Sequence, residues 1–477
     1  MLSSSPARIA AATAVVLVAA GLPSVPGSAA GRGVVAAPGA AGIGDPYWPL
    51  DGNGGIDALH YDVRDRYDFS TRTLSGTTTV RLRATAALSR FNLDLLLPVS
   101  SVLVDGVPAA YTKPDPHELQ ITPAAAVPRG RVVDVVVTYA GRPGPIGYAG
   151  ERNWLAGAGE VVAINEPHMA PWWFAANDHP LDKATFDVRI TGPATHQVIS
   201  NGLPAGRTVS GSLATTHWRS TDPMTTYNAF FALGRYQVER TVQDRLPSFV
   251  AVSRDLDPSR RGPALRALRR SAEVTAWLAR RLGPYPFEST GGVVSPLAAR
   301  AGFALENQTR PVYPVAPSRS LMVHELAHQW FGNSVSLRRW RDIWLNEGLA
   351  TFMEHYDVER RGGQSAQTWL RDERGFNLGV PSFWRTPVSD PGPAEVFGNA
   401  VYVRGAMTIQ ALRHRLGERV FWKVVRTWVR TRRHGHGTTT GFVALAERIS
   451  GQRLGGFFRA WLEAPRAPSY TEGNGLR

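Results

Sequence analysis

The segment His324-Glu325-Leu326-Ala327-His328 combines two imidazoles and a carboxylate at a spacing that suits metal chemistry. In a helix with 3.6 residues per turn, residues four positions apart lie on one face, so His324 and His328 can hold one cation together. Glu325 lies between them and is a candidate general base. The pattern predicts a hydrolytic site with one zinc ion per chain.

A third ligand is required, because a hydrolytic zinc site uses three protein ligands and keeps a fourth position for water. Glu347 lies 19 positions after His328, in a segment, Trp344–Phe352, that is typical of a following helix. A turn between the two helices would bring this carboxylate beside both imidazoles. We therefore predict His324, His328 and Glu347 as the zinc ligands.

A histidine that binds a metal usually donates its second ring nitrogen to a carboxylate or carbonyl oxygen. Glu354 lies seven residues after Glu347, on the same helix face, and could accept such a hydrogen bond. Asp342 is a weaker candidate.

The segment 324–354 strongly resembles the aminopeptidase N family of zinc metallopeptidases. The likeness depends on the zinc motif, on the run 329–333 (Gln-Trp-Phe-Gly-Asn), and on the run 344–348 (Trp-Leu-Asn-Glu-Gly). The family places its third ligand, a Glu, 18 intervening residues after the second His, as here. The likeness extends from about Asp45 to Pro465 and implies a thermolysin-like zinc peptidase domain of the gluzincin type.

The resemblance also implies roles for four further residues. Tyr402, within Ala400–Ala406, matches the family's Tyr that donates its hydroxyl to the oxyanion formed during attack. Glu306 and Asn307 match the last two positions of the family's Gly-Ala-Met-Glu-Asn substrate-binding motif. Glu166 aligns with a second contact to the substrate's amino terminus. These carboxylates imply peptide substrates with a free amino terminus, and hence an aminopeptidase.

Three departures from the family pattern keep other functions open. Phe303 and Leu305 replace the usual small residue and Met, and Ile164 stands where many relatives have Gln. The preference for the first substrate side chain is therefore open. Alternatives are an epoxide hydrolase or an endopeptidase on the same zinc site, or a non-catalytic basic protein that binds the cell surface.

Two regions with different periodicity must position these residues. From Tyr47 to about Val238, short runs alternate apolar and polar residues, which predicts an antiparallel β domain, saddle-like or sandwich-like. Helical spacing follows, beginning with residues such as Leu265 and Leu268 and stopped at Gly283. We expect an α+β multidomain protein in which residues 45–240 form the β domain and residues 241–477 form the mostly helical zinc peptidase domain.

Composition restricts the remaining possibilities. The chain has 477 residues, 43% of them hydrophobic and 19% charged, as in a globular protein of two or three domains. It has no Cys, so a metal site must use His and carboxylate ligands. The formal net charge is +14, but no nucleic-acid readout motif accompanies it, so we expect no nucleic-acid partner.

The first 44 residues have the character of a targeting segment. An apolar run of 14 residues, Ile9–Leu22, follows Arg8 and precedes the small residues Ser28, Ala29 and Ala30. This pattern predicts a signal peptide over residues 1–30, a flexible linker over residues 31–44, and a secreted, extracellular protein without stable membrane insertion after cleavage. The chain also stops where many relatives continue into a helical C-terminal domain, so we expect an open cleft and, as the simplest state, a monomer.

Overall fold

Alternation of apolar and polar residues organises the first half of the chain into strands. The computed structural model describes residues 35–477, and Ala36–Arg477 form one unit. The predicted alternation is confirmed, since Val80 and Leu82 in one strand are buried while Arg81 and Arg83 are exposed. The strands are β1 (Ala37–Pro38), β2 (Ile56–Asp68), β3 (Thr73–Ala84), β4 (Leu88–Asp94), β5 (Val99–Val104), β6 (Val107–Pro108), β7 (Ala110–Thr112), β8 (Glu118–Thr122), β9 (Val132–Gly141), β10 (Trp154–Ala156), β11 (Val161–Ala163), β12 (Lys183–Pro193), β13 (Gln197–Ser200), β14 (Leu203–Ser210), β15 (Leu213–Thr225) and β16 (Phe231–Gly234).

These strands form three sheets. The largest has eight strands in the order β14-β15-β12-β2-β3-β9-β5-β6, and two four-stranded sheets follow the orders β1-β4-β8-β7 and β10-β11-β16-β13. Most neighbours are antiparallel, as predicted. The exceptions are β2 with β12 and β1 with β4, which are parallel. A shared apolar core, including Leu82, Phe91 and Trp173, joins the sheets.

Part of the segment predicted to be a flexible linker is hydrogen-bonded to the β domain. Ala37 and Pro38 pair with β4, and the Gly39 amide donates to the Arg90 carbonyl at 2.7 Å. Hydrogen bonds to an edge strand can order a chain that has little apolar side-chain area, and the flexibility of residues 31–44 stays a prediction. The predicted signal peptide over residues 1–30 lies outside the described residues.

A fourth sheet combines two strands that precede the first two helices with two strands that follow them. The strands β17 (Tyr236–Gln243), β18 (Leu246–Ser253), β19 (Thr290–Val294) and β20 (Val312–Tyr313) form it in chain order. The predicted domain boundary at residue 240 lies inside β17, which pairs with β18 along its whole length. A change of periodicity in the sequence marks the first helix, and β17 and β18 lie before that change.

Helices make up most of the remaining chain. They are α1 (Pro258–Leu268), α2 (Ser271–Leu282), α3 (Arg319–Ala327), α4 (Trp344–Arg360), α5 (Ala366–Asn377), α6 (Pro381–Arg385), α7 (Asn399–Leu416), α8 (Glu418–Thr431), α9 (Thr439–Ser450) and α10 (Gly455–Phe458), and two short strands, β21 (Ser336–Leu337) and β22 (His436–Gly437), pair in parallel. Gly283 ends α2 with φ of +115°, as its position after the helical pattern predicts. None of the described helices is long and apolar enough to cross a membrane.

Candidate active site

Two consecutive helices present the three predicted zinc ligands to one another. His324 lies in the last turn of α3, His328 directly follows that helix, and Glu347 lies in the first turn of α4. The Glu347 Oε2 atom is 3.3 Å from His324 Nε2 and 3.4 Å from His328 Nε2. Ligand atoms bound to Zn²⁺ at about 2.0–2.1 Å in tetrahedral geometry are separated by roughly 3.3 Å. The donor set therefore fits one zinc ion.

Hydrogen bonds orient both imidazoles with Nε2 toward Glu347. His324 Nδ1 is 2.8 Å from Glu354 Oε1, and His328 Nδ1 is 3.1 Å from the Phe331 carbonyl oxygen. Each contact places the ring proton at Nδ1 and leaves the lone pair of Nε2 free to bind a metal ion. The structure thus assigns this orienting role to Glu354. Asp342 instead accepts hydrogen bonds from the backbone and hydroxyl of Thr439.

The electrostatics of Glu347 suit a metal ligand. The side chain is 2% exposed, and its burial would raise the pKa of the carboxyl. The neighbouring imidazoles of His328 and His324 outweigh burial and lower this pKa to about 2. The carboxylate is consequently ionised at neutral pH, as metal binding requires.

Glu325 faces the same cavity but lies outside the ligand triangle. It is 4% exposed, and one of its oxygens lies within 4.8 Å of ligand atoms of Glu306 and His328. Burial raises the pKa of Glu325 to about 8, against the opposing effect of His324 and His328. A carboxyl with a pKa in the neutral range can both accept and return a proton.

Close packing of two helices positions Tyr402. Gly348 in α4 and Gly405 in α7 touch, because a Cβ on Gly348 would lie only 2.7 Å from the Gly405 carbonyl carbon. A larger side chain at either position would separate the helices. The Tyr402 ring, one turn before Gly405, lies 6.1 Å from the His324 ring at an interplanar angle of 20°. Both residues line the same cavity.

A cavity of about 670 Å³ contains the predicted catalytic and metal-binding residues. Its walls also include side chains from the loop that carries Glu306, the segment before α3, α3 itself, α4 and the segment before α7. Among them are Phe303, Leu305, Pro314, Leu321, Thr351 and Phe397. Sequence reasoning did not identify Pro314, Leu321, Thr351 or Phe397, since apolar residues and a lone Thr in such segments are typical of ordinary packing.

Two carboxylates from different parts of the chain meet at this cavity. Oxygens of Glu166, Glu306 and Glu347 all lie within 4.8 Å of one another. Oε1 of Glu166 and Oε1 of Glu306 are buried and have no hydrogen-bond partner among the described residues. Burial, followed by the neighbouring carboxylates, raises the pKa of Glu166 well above its usual value. An arrangement of this kind is complementary to a cation.

The loop carrying Glu306 is held by residues near the zinc motif. The Glu306 carbonyl accepts hydrogen bonds from Gln329 Nε2 at 3.1 Å and from Asn333 Nδ2 at 2.8 Å. Both donors belong to the run 329–333 that follows the motif. Their positioning role was not predicted, because spacing alone does not show which carbonyl an amide side chain reaches.

Asn307 does not reach the cavity. Its side chain is fully buried, and Nδ2 donates to the Asn228 carbonyl at 3.2 Å. Oδ1 of Asn307 is buried without a partner among the described residues, so the role of Asn307 in substrate binding stays a prediction. Glu306 and Asn307 are consecutive in an extended loop, so their side chains point in different directions.

Lys183 in β12 links the β domain to the loop that follows His328. Its Nζ donates to the carbonyl oxygens of Asn333 at 2.8 Å and Ser334 at 3.0 Å. The contact joins β12 to the loop between the two helices that carry the zinc ligands. Burial lowers the pKa of Lys183 to about 7.

Comparison with known proteins agrees with this geometry. The sequence matches the Peptidase M1 N-terminal domain over residues 149–228 and the Peptidase family M1 domain over residues 303–461, together about half of the chain.

Among curated relatives, aminopeptidase N of Canis lupus familiaris is 29% identical over 293 residues, which cover 54% of this chain and 29% of that protein. Aminopeptidase M1-B of Oryza sativa subsp. japonica is 25% identical over 466 residues, covering 86% of this chain and 50% of that protein. The chain thus spans half or less of the length of these two relatives.

Solved structures match over nearly their full length. An M1 zinc metallopeptidase from Deinococcus radiodurans, a Glu-to-Ala mutant bound to a Tyr-Ser-Ala substrate, has a TM-score of 0.81 and 28% identity, covering 90% of this chain and 99% of that one. A two-domain M1 zinc metallopeptidase with bound L-tryptophan gives a TM-score of 0.82 at the same identity and coverage. The chain belongs to the M1 family of zinc metallopeptidases, as the two domain matches, the structural neighbours and the site geometry together show.

Proposed function

We propose that this protein is a secreted zinc aminopeptidase that hydrolyses the first peptide bond of peptides with a free amino terminus. One observation carries the proposal. The three zinc ligands and the unpartnered carboxylate oxygens of Glu166 and Glu306 face one cavity. A peptide whose ammonium group contacts these carboxylates has its first carbonyl a few ångströms away, near the His324, His328 and Glu347 triad.

The residues of the chain have separate tasks in this reaction. His324, His328 and Glu347 would hold Zn²⁺, which would supply a Lewis acid to polarise the scissile carbonyl and to lower the pKa of the attacking water. Glu325 accepts a proton from that water and returns it to the nitrogen of the leaving amine. The two transfers cancel, so Glu325 ends the cycle as the carboxylate with which it began.

Tyr402 and the acidic pair, Glu166 and Glu306, complete the site. The Tyr402 hydroxyl donates a hydrogen bond to the oxygen of the scissile carbonyl as negative charge develops there. Burial and the surrounding carboxylates raise the pKa of Tyr402 well above its usual value, which keeps its proton available. Glu166 and Glu306 bind the substrate ammonium by charge-assisted hydrogen bonds and thereby place the first peptide bond over the metal site.

Hydrolysis of aminoacyl arylamides tests the proposal. Activity on unblocked substrates should disappear with a chelator and fall at least about a hundredfold in Glu325→Gln, with zinc content unchanged. Acetylation of the substrate amino group should abolish cleavage. Equal cleavage of blocked and unblocked substrates would favour the endopeptidase alternative. Turnover of epoxides without peptide cleavage would favour the epoxide hydrolase alternative.

Secretion is a separate part of the proposal and is supported by the apolar run Ile9–Leu22 and the small residues that follow it. Expression of the full chain in a secreting host should yield extracellular protein. Amino-terminal sequencing of that product should begin near residue 31. Retention of the intact chain inside the cell would contradict this part and leave the peptidase proposal untouched.

A further inference from the structure

Two carboxylates face each other inside the β domain, outside the active-site cavity. Asp94 is the last residue of β4, Glu118 is the first residue of β8, and the two are directly paired across the antiparallel strands. Like charges in this position destabilise a sheet unless something compensates them. Asp94 is fully buried and Glu118 is 2% exposed, so water does not screen the pair.

His117 lies between the two carboxylates without hydrogen-bonding to either. Its Nδ1 is 3.8 Å from Asp94 Oδ1 and 3.7 Å from Glu118 Oε1, both beyond hydrogen-bond range. Ligand atoms of the three residues nevertheless lie within 4.8 Å of one another. These distances suit atoms that coordinate one metal ion better than atoms joined by a hydrogen bond.

Unpartnered atoms point to the same conclusion. Buried polar atoms in folded proteins almost always have a hydrogen-bond partner. Within residues 35–477, neither ring nitrogen of His117 nor Oε1 of Glu118 has one, although His117 is 0% exposed. One imidazole and one carboxylate oxygen are therefore available to a ligand.

The surroundings hold these donors in fixed orientations. Asn53 Nδ2 donates to Asp94 Oδ1 at 3.0 Å, and Asn92 Nδ2 donates to Glu118 Oε2 at 2.7 Å. The His117 ring stacks on Tyr148 with centroids 4.2 Å apart and planes within 4°. Carboxylates that bind metals are commonly fixed by such secondary hydrogen bonds.

The cluster brings two buried carboxyl groups together with a single imidazole. A divalent cation would stabilise both carboxylates in their ionised form.

We propose that Asp94, His117 and Glu118 form a second metal site, which binds a divalent transition-metal ion such as Zn²⁺. Mixed nitrogen and carboxylate donors favour Zn²⁺ over Ca²⁺ or Mg²⁺, which prefer oxygen ligands. The metal content would then be two ions per chain.

The ion would have a structural role. Asp94 also exchanges backbone hydrogen bonds with Ala176, at 2.7 and 3.1 Å, so a metal at Asp94 joins β4 and β8 to the segment that leads into β12. Lys183 of β12 contacts the loop beyond His328. Metal at this cluster would thus stabilise the part of the β domain that meets the catalytic helices.

Metal analysis of the full chain separates the two sites. After dialysis against Zn²⁺, wild type should contain two equivalents and His324→Ala/His328→Ala should contain one. Adding Glu118→Gln to that double variant should remove the second ion. The control Asp65→Asn alters another buried carboxylate of the β domain, hydrogen-bonded to Tyr139 at 2.8 Å, and should leave metal content unchanged.

The His324→Ala/His328→Ala protein leaves the proposed cluster intact, so a folding defect in a Glu118 variant cannot mask the result. It should show a Co²⁺ ligand-field absorption band and a higher Tm with Zn²⁺ than without it. Complete absence of bound Zn²⁺ and Co²⁺ in this protein, with wild type binding one equivalent, would overturn the proposal and indicate that a proton on His117 neutralises the carboxylates.

Discussion

Glu354 Oε1 lies 2.8 Å from Nδ1 of His324, although 30 positions separate the two residues. The other carboxylate oxygen of Glu354 accepts a hydrogen bond from Ser320 Oγ at 2.7 Å. Because Glu354 lies two turns after Glu347 on α4, one helix supplies both a zinc ligand and the group that orients another ligand.

Removal of this orienting carboxylate should weaken metal binding. In Glu354→Ala, we expect zinc affinity to fall about 10–100-fold, because His324 is no longer held with Nε2 toward Glu347. Glu354→Gln retains a hydrogen-bond acceptor and should lose less zinc affinity. Competition with a chromophoric chelator measures the zinc affinity of both variants. Glu463→Ala, which removes an exposed carboxylate of the same domain, is the control, and an equal loss in that variant would contradict the prediction.

The Tyr402 hydroxyl should act mainly on kcat. Tyr402→Phe keeps the ring that stacks near His324 but removes the hydrogen bond to the developing oxyanion. We expect kcat to fall about 10²–10³-fold with KM changed far less. Steady-state kinetics on an unblocked aminoacyl arylamide, with zinc content measured alongside, checks this. A change confined to KM would mean that Tyr402 only shapes the substrate pocket.

The acidic pair should distinguish free from blocked amino termini. In Glu306→Gln, kcat/KM for unblocked substrates should fall about 10–100-fold, because a charge-assisted hydrogen bond to the ammonium becomes a neutral one. Glu166→Gln should lose activity in the same direction. A comparison with N-acetylated substrates supplies the control. Selectivity for free amino termini that persists in the double variant would exclude these carboxylates as the ammonium site.

Stability should depend on pH through His168. Burial disfavours the charged imidazole, but Asp51 at 2.7 Å and Glu151 at 3.2 Å outweigh it and raise the pKa of His168 to about 10. The folded state therefore binds this proton more tightly than the unfolded chain. The resulting stabilisation is fully present below about pH 6.5 and is lost as pH rises through about 10.

Substitution of His168 gives the corresponding measurement. His168→Gln should lower the free energy of unfolding by about 3–5 kcal/mol at pH 6, with a smaller difference from wild type at pH 9. Urea unfolding across this range, in a double-mutant cycle with Asp51→Asn, isolates the pair. A difference that does not change with pH would show that His168 stabilises the fold by packing alone.

Much of the catalytic centre was predictable because its residues are close in sequence. His324, Glu325 and His328 share one helical segment, and Glu347 follows in the next helix after a connection that includes β21, so periodicity and the demand for a third ligand sufficed. Likewise, alternation at Val80 and Leu82 predicted the β domain. Local spacing determines which side of a helix or strand a residue occupies.

Other features depend on contacts between distant segments, which no local pattern encodes. The sequence alone determined the zinc motif, the family resemblance and the two kinds of secondary structure. Only the tertiary structure placed Glu166 beside Glu306, hydrogen-bonded Asn307 to the Asn228 carbonyl, and paired Asp94 with Glu118 across two strands. Side-chain direction in a loop and pairing between strands are decided by packing, and packing requires the whole fold.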